Sequence, residues 1–195
     1  MREAEAMKKY ENLIFYKQPE HVTALVDGTP LEVTDDVEGV GMRGACQIPG
    51  AHAFINGGLV TEPVFMDPYP HKHDADEYLV FLGPPNDRYH FNAHVELTMG
   101  IDEDAEVYNI DEPTMVRIPA GVWHCPLNFI RIDEPIFFQV VLQQGAFGGL
   151  YRLPDGEKEM FYNGPIQCIL NPKKTCDTCK KCLSLSWDAV LPGKE

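Results

Sequence analysis

In the run His71-Lys-His73-Asp-Ala-Asp-Glu77, two imidazoles and a carboxylate fall on odd-numbered positions. Residues an even number of steps apart on an extended strand face one side of a sheet, so all three can converge if the chain stays extended or a turn compensates. Imidazole nitrogen and carboxylate oxygen are the donors that hold divalent transition metals. Leu79 and Phe81 continue the same face and would lay an apolar floor beneath those donors.

A second segment, Pro119-Ala-Gly121-Val-Trp-His124-Cys-Pro-Leu-Asn128, sets another histidine just after a Pro-x-Gly turn that fixes where the next strand begins. His124 is the natural fourth ligand. Three imidazoles and one carboxylate suit iron, manganese, nickel, copper or zinc, and a six-coordinate ion would keep two positions for water, substrate or oxygen. Open positions are what metal catalysis requires.

The elements that must position these side chains are short strands. From His21 onward, β-branched and apolar residues alternate between turns at Asp27-Gly28, Pro49-Gly50, Gly57-Gly58, Gly83-Pro84-Pro85, Met99-Gly100 and Ala120-Gly121. That rhythm predicts an all-β sandwich or barrel. Residues 24–33 predict a hairpin, because Asp27-Gly28 supplies the positive φ angles of a tight turn, and the hairpin would form a β-arm. The apolar run Ile136–Leu142 predicts a central strand covered on both sides. Residues 1–20 mix helix formers and predict a short N-terminal helix, residues 21–150 the barrel with its arm, and residues 151–195 an irregular, cysteine-containing tail wrapped around it.

The two histidine segments resemble the paired motifs of the cupin superfamily, His-x-His-x3-Glu and Pro-x-Gly-x2-His-x3-Asn, with every ligand position filled. The resemblance spans roughly residues 60–145 and implies a double-stranded β-helix, or jelly roll, with the metal near one mouth of the barrel. Asn128 matches the family's closing asparagine, a structural residue there. The departures, Val64-Phe65-Met66 and Pro113 where the motifs usually open on glycine and a Gly83 one residue early, bear on loop geometry and not on ligation. The same donor set in quercetin and acireductone dioxygenases implies an iron-type oxygenase acting on a small oxygen-rich metabolite. Two other functions use the same centre: a Lewis-acid isomerase or lyase, and a non-catalytic module that binds a small ligand or the metal. Iron is the expected ion, with manganese, nickel, copper and zinc as alternatives.

Other residues invite two readings each. Gln139 interrupts an apolar strand, so its amide either reaches into the pocket to orient substrate or bonds to neighbouring backbone. Arg117 could meet a substrate carboxylate, against an ordinary surface ion pair. Tyr78, Trp123 and Cys125 flank ligands and by strict alternation point away from them. His90 and His94 suit a solvated loop and strand. Cys168, Cys176, Cys179 and Cys182 are spaced as a candidate second metal or redox site, with tetrahedral zinc or reduced thiols as its forms.

Composition narrows the partners. The 195 residues carry a formal net charge of −14, which repels nucleic acid and anionic lipid, so neither is expected as a partner. No apolar run reaches the length of a membrane span, and the charged opening Met1-Arg-Glu-Ala-Glu-Ala6 lacks an apolar signal core. Six cysteines without such a signal suggest reduced thiols and a cytoplasmic setting. The β-arm on an open barrel edge suggests a homodimer, and the remaining partner is a small-molecule substrate.

Overall fold

The computed structural model describes residues 53–144 and 148–159 with their side chains, and residues 21–26, 29–34, 42–43, 147 and 160–163 as strand backbone. The expected N-terminal helix and the four tail cysteines lie outside the described residues. Among the described residues no helix is long and apolar enough to cross a membrane.

Two antiparallel sheets face each other. The smaller holds β10 (Thr114–Ile118), β7 (Glu77–Leu82), β12 (Ile136–Leu142), β4 (Phe54–Val60) and β3 (Met42–Arg43), in that order. β12 lies in its middle, paired with β7 on one side and β4 on the other, as its apolar run predicts. The larger sheet runs β2 (Thr29–Thr34), β1 (His21–Val26), β14 (Gly156–Asn163), β13 (Phe147–Leu153), β6 (His71–Lys72), β11 (His124–Ile132), β8 (Ala93–Met99) and β9 (Glu106–Ile110). β5 (Val64–Asp67) also joins β11. The architecture is the expected all-β jelly roll.

Alternation builds the core between the sheets. Along β8, Ala93, Val95 and Leu97 are buried while the residues between them are half-exposed. Three aromatics meet across the gap: Phe129 of β11 packs against Phe81 and Phe138 of the other sheet, with ring centroids 6.2 and 5.3 Å away.

The arm forms as predicted, β1 pairing with β2 from His21↔Thr34 to Val26↔Thr29, and it extends the larger sheet by pairing with β14. The expectation of irregular chain beyond Gly149 needs correction up to residue 163. β13 and β14 form a regular hairpin closed at Leu153↔Gly156, where Gly156 takes a φ of 124°. Pro154, Asp155 and Gly156 mark a turn rather than the start of a tail, and the strand after it, Glu157-Lys-Glu159, is too polar to read as one.

Candidate metal centre

His71 begins the two-residue strand β6 and stands directly opposite His124, the first residue of β11. The chain bends at residues 74–75 and re-enters extended conformation at Glu77. That bend is the compensating turn that returns Glu77 to the face of the two imidazoles.

The loops carrying the two motifs are tied together. The Asp76 carboxylate accepts from Arg117 Nε and Nη2 at 2.8 and 2.6 Å and from the Ala120 amide at 3.1 Å. The Gly121 amide donates to the His73 carbonyl at 2.8 Å. The Pro119 turn closes through the Val122 amide at 3.1 Å, and its Gly121 sits at φ 81°, a left-handed angle that favours glycine. Arg117 therefore serves this loop contact as the partner of Asp76.

Each imidazole is aimed by the main chain. His71 Nδ1 lies 3.0 Å from the Tyr69 carbonyl, His73 Nδ1 2.8 Å from that of Gly148, and His124 Nδ1 3.1 Å from that of Val122. A carbonyl oxygen only accepts, so each Nδ1 carries a proton, and a ring in its neutral form keeps its lone pair on Nε2. This outer-shell arrangement is the one that orients metal-binding histidines. His71 is further held by Tyr151, fully buried and stacked on it at 4.4 Å with an interplanar angle of 16°.

The four side chains His71, His73, Glu77 and His124 are all buried. Glu77 Oε2 lies 2.9 Å from His124 Nε2 and 3.5 Å from His73 Nε2. Two lone pairs cannot face each other at that distance in an apolar interior, so the arrangement calls for a cation between them, a proton or a metal ion. Burial opposes a charge on Glu77, yet the His124 and His73 imidazoles outweigh it and hold the carboxyl below its ordinary range. Burial lowers His73, while Glu77 and the Gly148 carbonyl more than reverse this and raise it. His71 is pushed well down by burial and by the neighbouring His124 and His73, which keeps it a neutral donor. Potential ligand atoms of His73, Glu77 and His124 lie within 4.8 Å of one another, as do those of His71, His124 and Cys125. His124 belongs to both groups, and its ring centroid is 4.3 Å from that of His71 and 5.1 Å from that of His73. The donor chemistry and the buried lone pairs fit a divalent transition metal.

A small cavity of about 30 Å³ opens beside these donors. Asp67, His71, Glu77 and His124 line it together with the apolar Met66, Leu79, Leu127, Phe138 and Val140. Gln139 does not line it, which corrects the expectation that its amide reaches the pocket. Phe138 and Val140 face the cavity, and period-two alternation turns the residue between them toward the opposite side.

Alternation fails in the other direction at Cys125. The register of β11 against β8 shifts between His124 and Leu127, and Cys125 takes a φ of 70°. Cys125 consequently lines the cavity beside His124 instead of pointing away. Its thiol is pushed well up by burial and by the charges of Asp67 and Glu77. Asp67 was not singled out by either motif. It sits an even four residues before His71, at 3.9 Å from His71 Nδ1, and burial and the Glu77 charge push its carboxyl up to about 7. Trp123 packs between Lys72 and Arg152, whose charged groups lie 4.8 and 5.4 Å from its ring. His90 and His94 are away from the centre, facing Glu134 at 3.2 Å and Asp111 at 2.7 Å on the surface.

Gly149 is where the backbone comes closest to the site. A Cβ there would meet the Lys72 carbonyl oxygen at 2.1 Å and His73 Nδ1 at 2.9 Å. Gly149→Ala is expected to push His73 off the Gly148 carbonyl and to weaken metal binding roughly 10–100-fold, the range for loss of an outer-shell partner. Competition with a chromogenic chelator measures this, and unchanged affinity would show that the Gly148 contact does not orient His73.

The sequence matches no protein-family model. It matches no curated protein either. Among solved structures it is similar to vicilin from Corylus avellana (hazelnut), at 18% identity over 65% of this chain and 32% of that one, with a TM-score of 0.41. It is also similar to hydroxypropylphosphonic acid epoxidase from S. wedmorenis, at 11% identity over 56% of this chain and 51% of that one, TM-score 0.38. A variant of oxalate decarboxylase from Bacillus subtilis aligns at 12% identity over 67% of this chain and 28% of that one, TM-score 0.39. The chain thus spans about half the length or less of these structures, and at such values the likeness carries no argument about activity.

Proposed function

We propose that this chain, a cupin by its two facing antiparallel sheets and by both ligand motifs, is a metal-dependent enzyme of the mononuclear non-haem iron dioxygenase type. Its substrate is a small oxygen-rich metabolite. One observation carries the reading: three buried imidazoles, each with Nδ1 on a backbone carbonyl, stand with a buried carboxylate, and His71, His124 and that carboxylate line a cavity.

His71, His73, Glu77 and His124 would hold the ion, and the ion, once bound, supplies the redox step. The chain does the rest. Met66, Leu79, Leu127, Phe138 and Val140 keep bulk water off the apolar part of the cavity lining, where a hydrocarbon portion of the substrate would lie. Asp67 is a cavity carboxyl outside the four-donor set, placed to orient a substrate hydroxyl by accepting its hydrogen bond.

Metal analysis of protein purified without added metal, followed by oxygen-consumption assays with catechols, flavonols and enediols, tests this. Iron-dependent oxygen uptake is the expected result. Turnover that persists without oxygen would replace it with the isomerase or lyase reading, and tight ligand binding without any turnover would make the chain a binding module.

A further inference from the structure

Among the described residues, the one thiol lining the cavity is Cys125, at a position of the second motif segment that is not one of its ligand positions. It is buried, lines the cavity, and has a potential ligand atom within 4.8 Å of those of His71 and His124. Metal–nitrogen bonds of about 2.0–2.1 Å and metal–sulfur bonds of about 2.3 Å place donors across an ion up to roughly 4.4 Å apart. The trio is therefore grouped at the spacing that donors to one shared ion adopt.

Its orientation has its own local cause. A cysteine following a ligand histidine on a regular strand would face away from the ligand, and here the register shift between His124 and Leu127, with φ 70° at Cys125, turns both side chains inward. A second observation points to a ligand at the same place. His124 belongs to both donor groups, and its Nε2 is a buried atom without a hydrogen-bond partner that faces Glu77 Oε2 at 2.9 Å.

We propose that Cys125 Sγ is a further donor to the divalent ion of this centre, forming a metal–thiolate bond alongside His71 and His124 that cobalt(II) and zinc can report as probe ions. This rests on the metal-site reading above. On binding, the S–H bond breaks, its proton passes to solvent, and the sulfur lone pair forms the bond to the ion with no change in oxidation state. A soft donor beside two imidazoles shifts preference toward zinc and cobalt and away from manganese.

The test uses the full chain, stripped with a chelator and titrated anaerobically with cobalt(II). The expected result is a near-ultraviolet thiolate-to-cobalt charge-transfer band together with visible ligand-field bands. Cys125→Ser should abolish the first and keep the second, and should lower the zinc-to-manganese affinity ratio roughly 10–100-fold. Cys125→Val, which keeps an apolar group in the space, should do the same, so that a folding defect in one variant does not decide the matter. Ligand-field bands without the charge-transfer band in the unsubstituted chain, or a charge-transfer band that survives in both variants, would overturn the assignment of Cys125 and leave the histidine centre standing. Absence of any cobalt spectrum would overturn both.

Discussion

His124→Ala is expected to take the metal content of the purified chain from stoichiometric to trace. His124 is the donor common to both ligand groups and the one nearest Glu77, at 2.9 Å. Loss of an outer-shell partner alone weakens metal binding 10–100-fold, so removing this direct donor should exceed roughly 100-fold. Elemental analysis after growth with added metal measures the content, and circular dichroism checks that the sheets survive. Unchanged metal content in a folded variant would end the case for a metal at this site.

The second large effect is on stability. Phe129 is fully buried on β11 and makes the edge-on contact to Phe138 at 5.3 Å that joins the two sheets. Phe129→Ala removes a ring that nothing nearby can replace, and truncations of this kind cost about 3–5 kcal/mol. A domain holds only about 5–15 kcal/mol in reserve, so the urea midpoint should fall by a large fraction of its value. A shift too small to resolve would mean that the sheets close over the gap. Because Phe138 of the same cluster lines the cavity beside the donors, metal affinity should fall with it.

The histidine and glutamate positions were legible because a strand has a period of two and because a Pro-x-Gly turn announces the start of the next strand. His71, His73 and Glu77 share parity, and the bend at residues 74–75 preserved it. The arm and the middle strand of the smaller sheet were legible for the same kind of reason, an Asp-Gly turn and a continuous apolar run. What the sequence concealed lies where that period breaks or where no rule operates. Cys125 faces inward because β11 slips register beside it, and Pro126, a residue that sheets confine to edges and bulges, was the one sign of such a slip. The polarity of Gln139 left open both a pocket and a backbone partner, and its neighbours Phe138 and Val140 are the residues that line the cavity. Asp67 shares the parity of His71 but precedes the motif, and Tyr151 reaches His71 from a strand eighty residues onward in the chain, a contact that only the fold creates.

The atoms that aim the three imidazoles are carbonyl oxygens of residues 69, 122 and 148. Every amino acid carries that oxygen, so no exchange of side chain at those three positions can delete an acceptor. The centre is thereby buffered against genetic drift in its surroundings. Inactivating changes should arise instead at the donors themselves or at positions such as Gly149, where added bulk would displace the main chain. A saturation library around the barrel mouth would display that contrast as tolerance at 69 and 122 beside intolerance at 149.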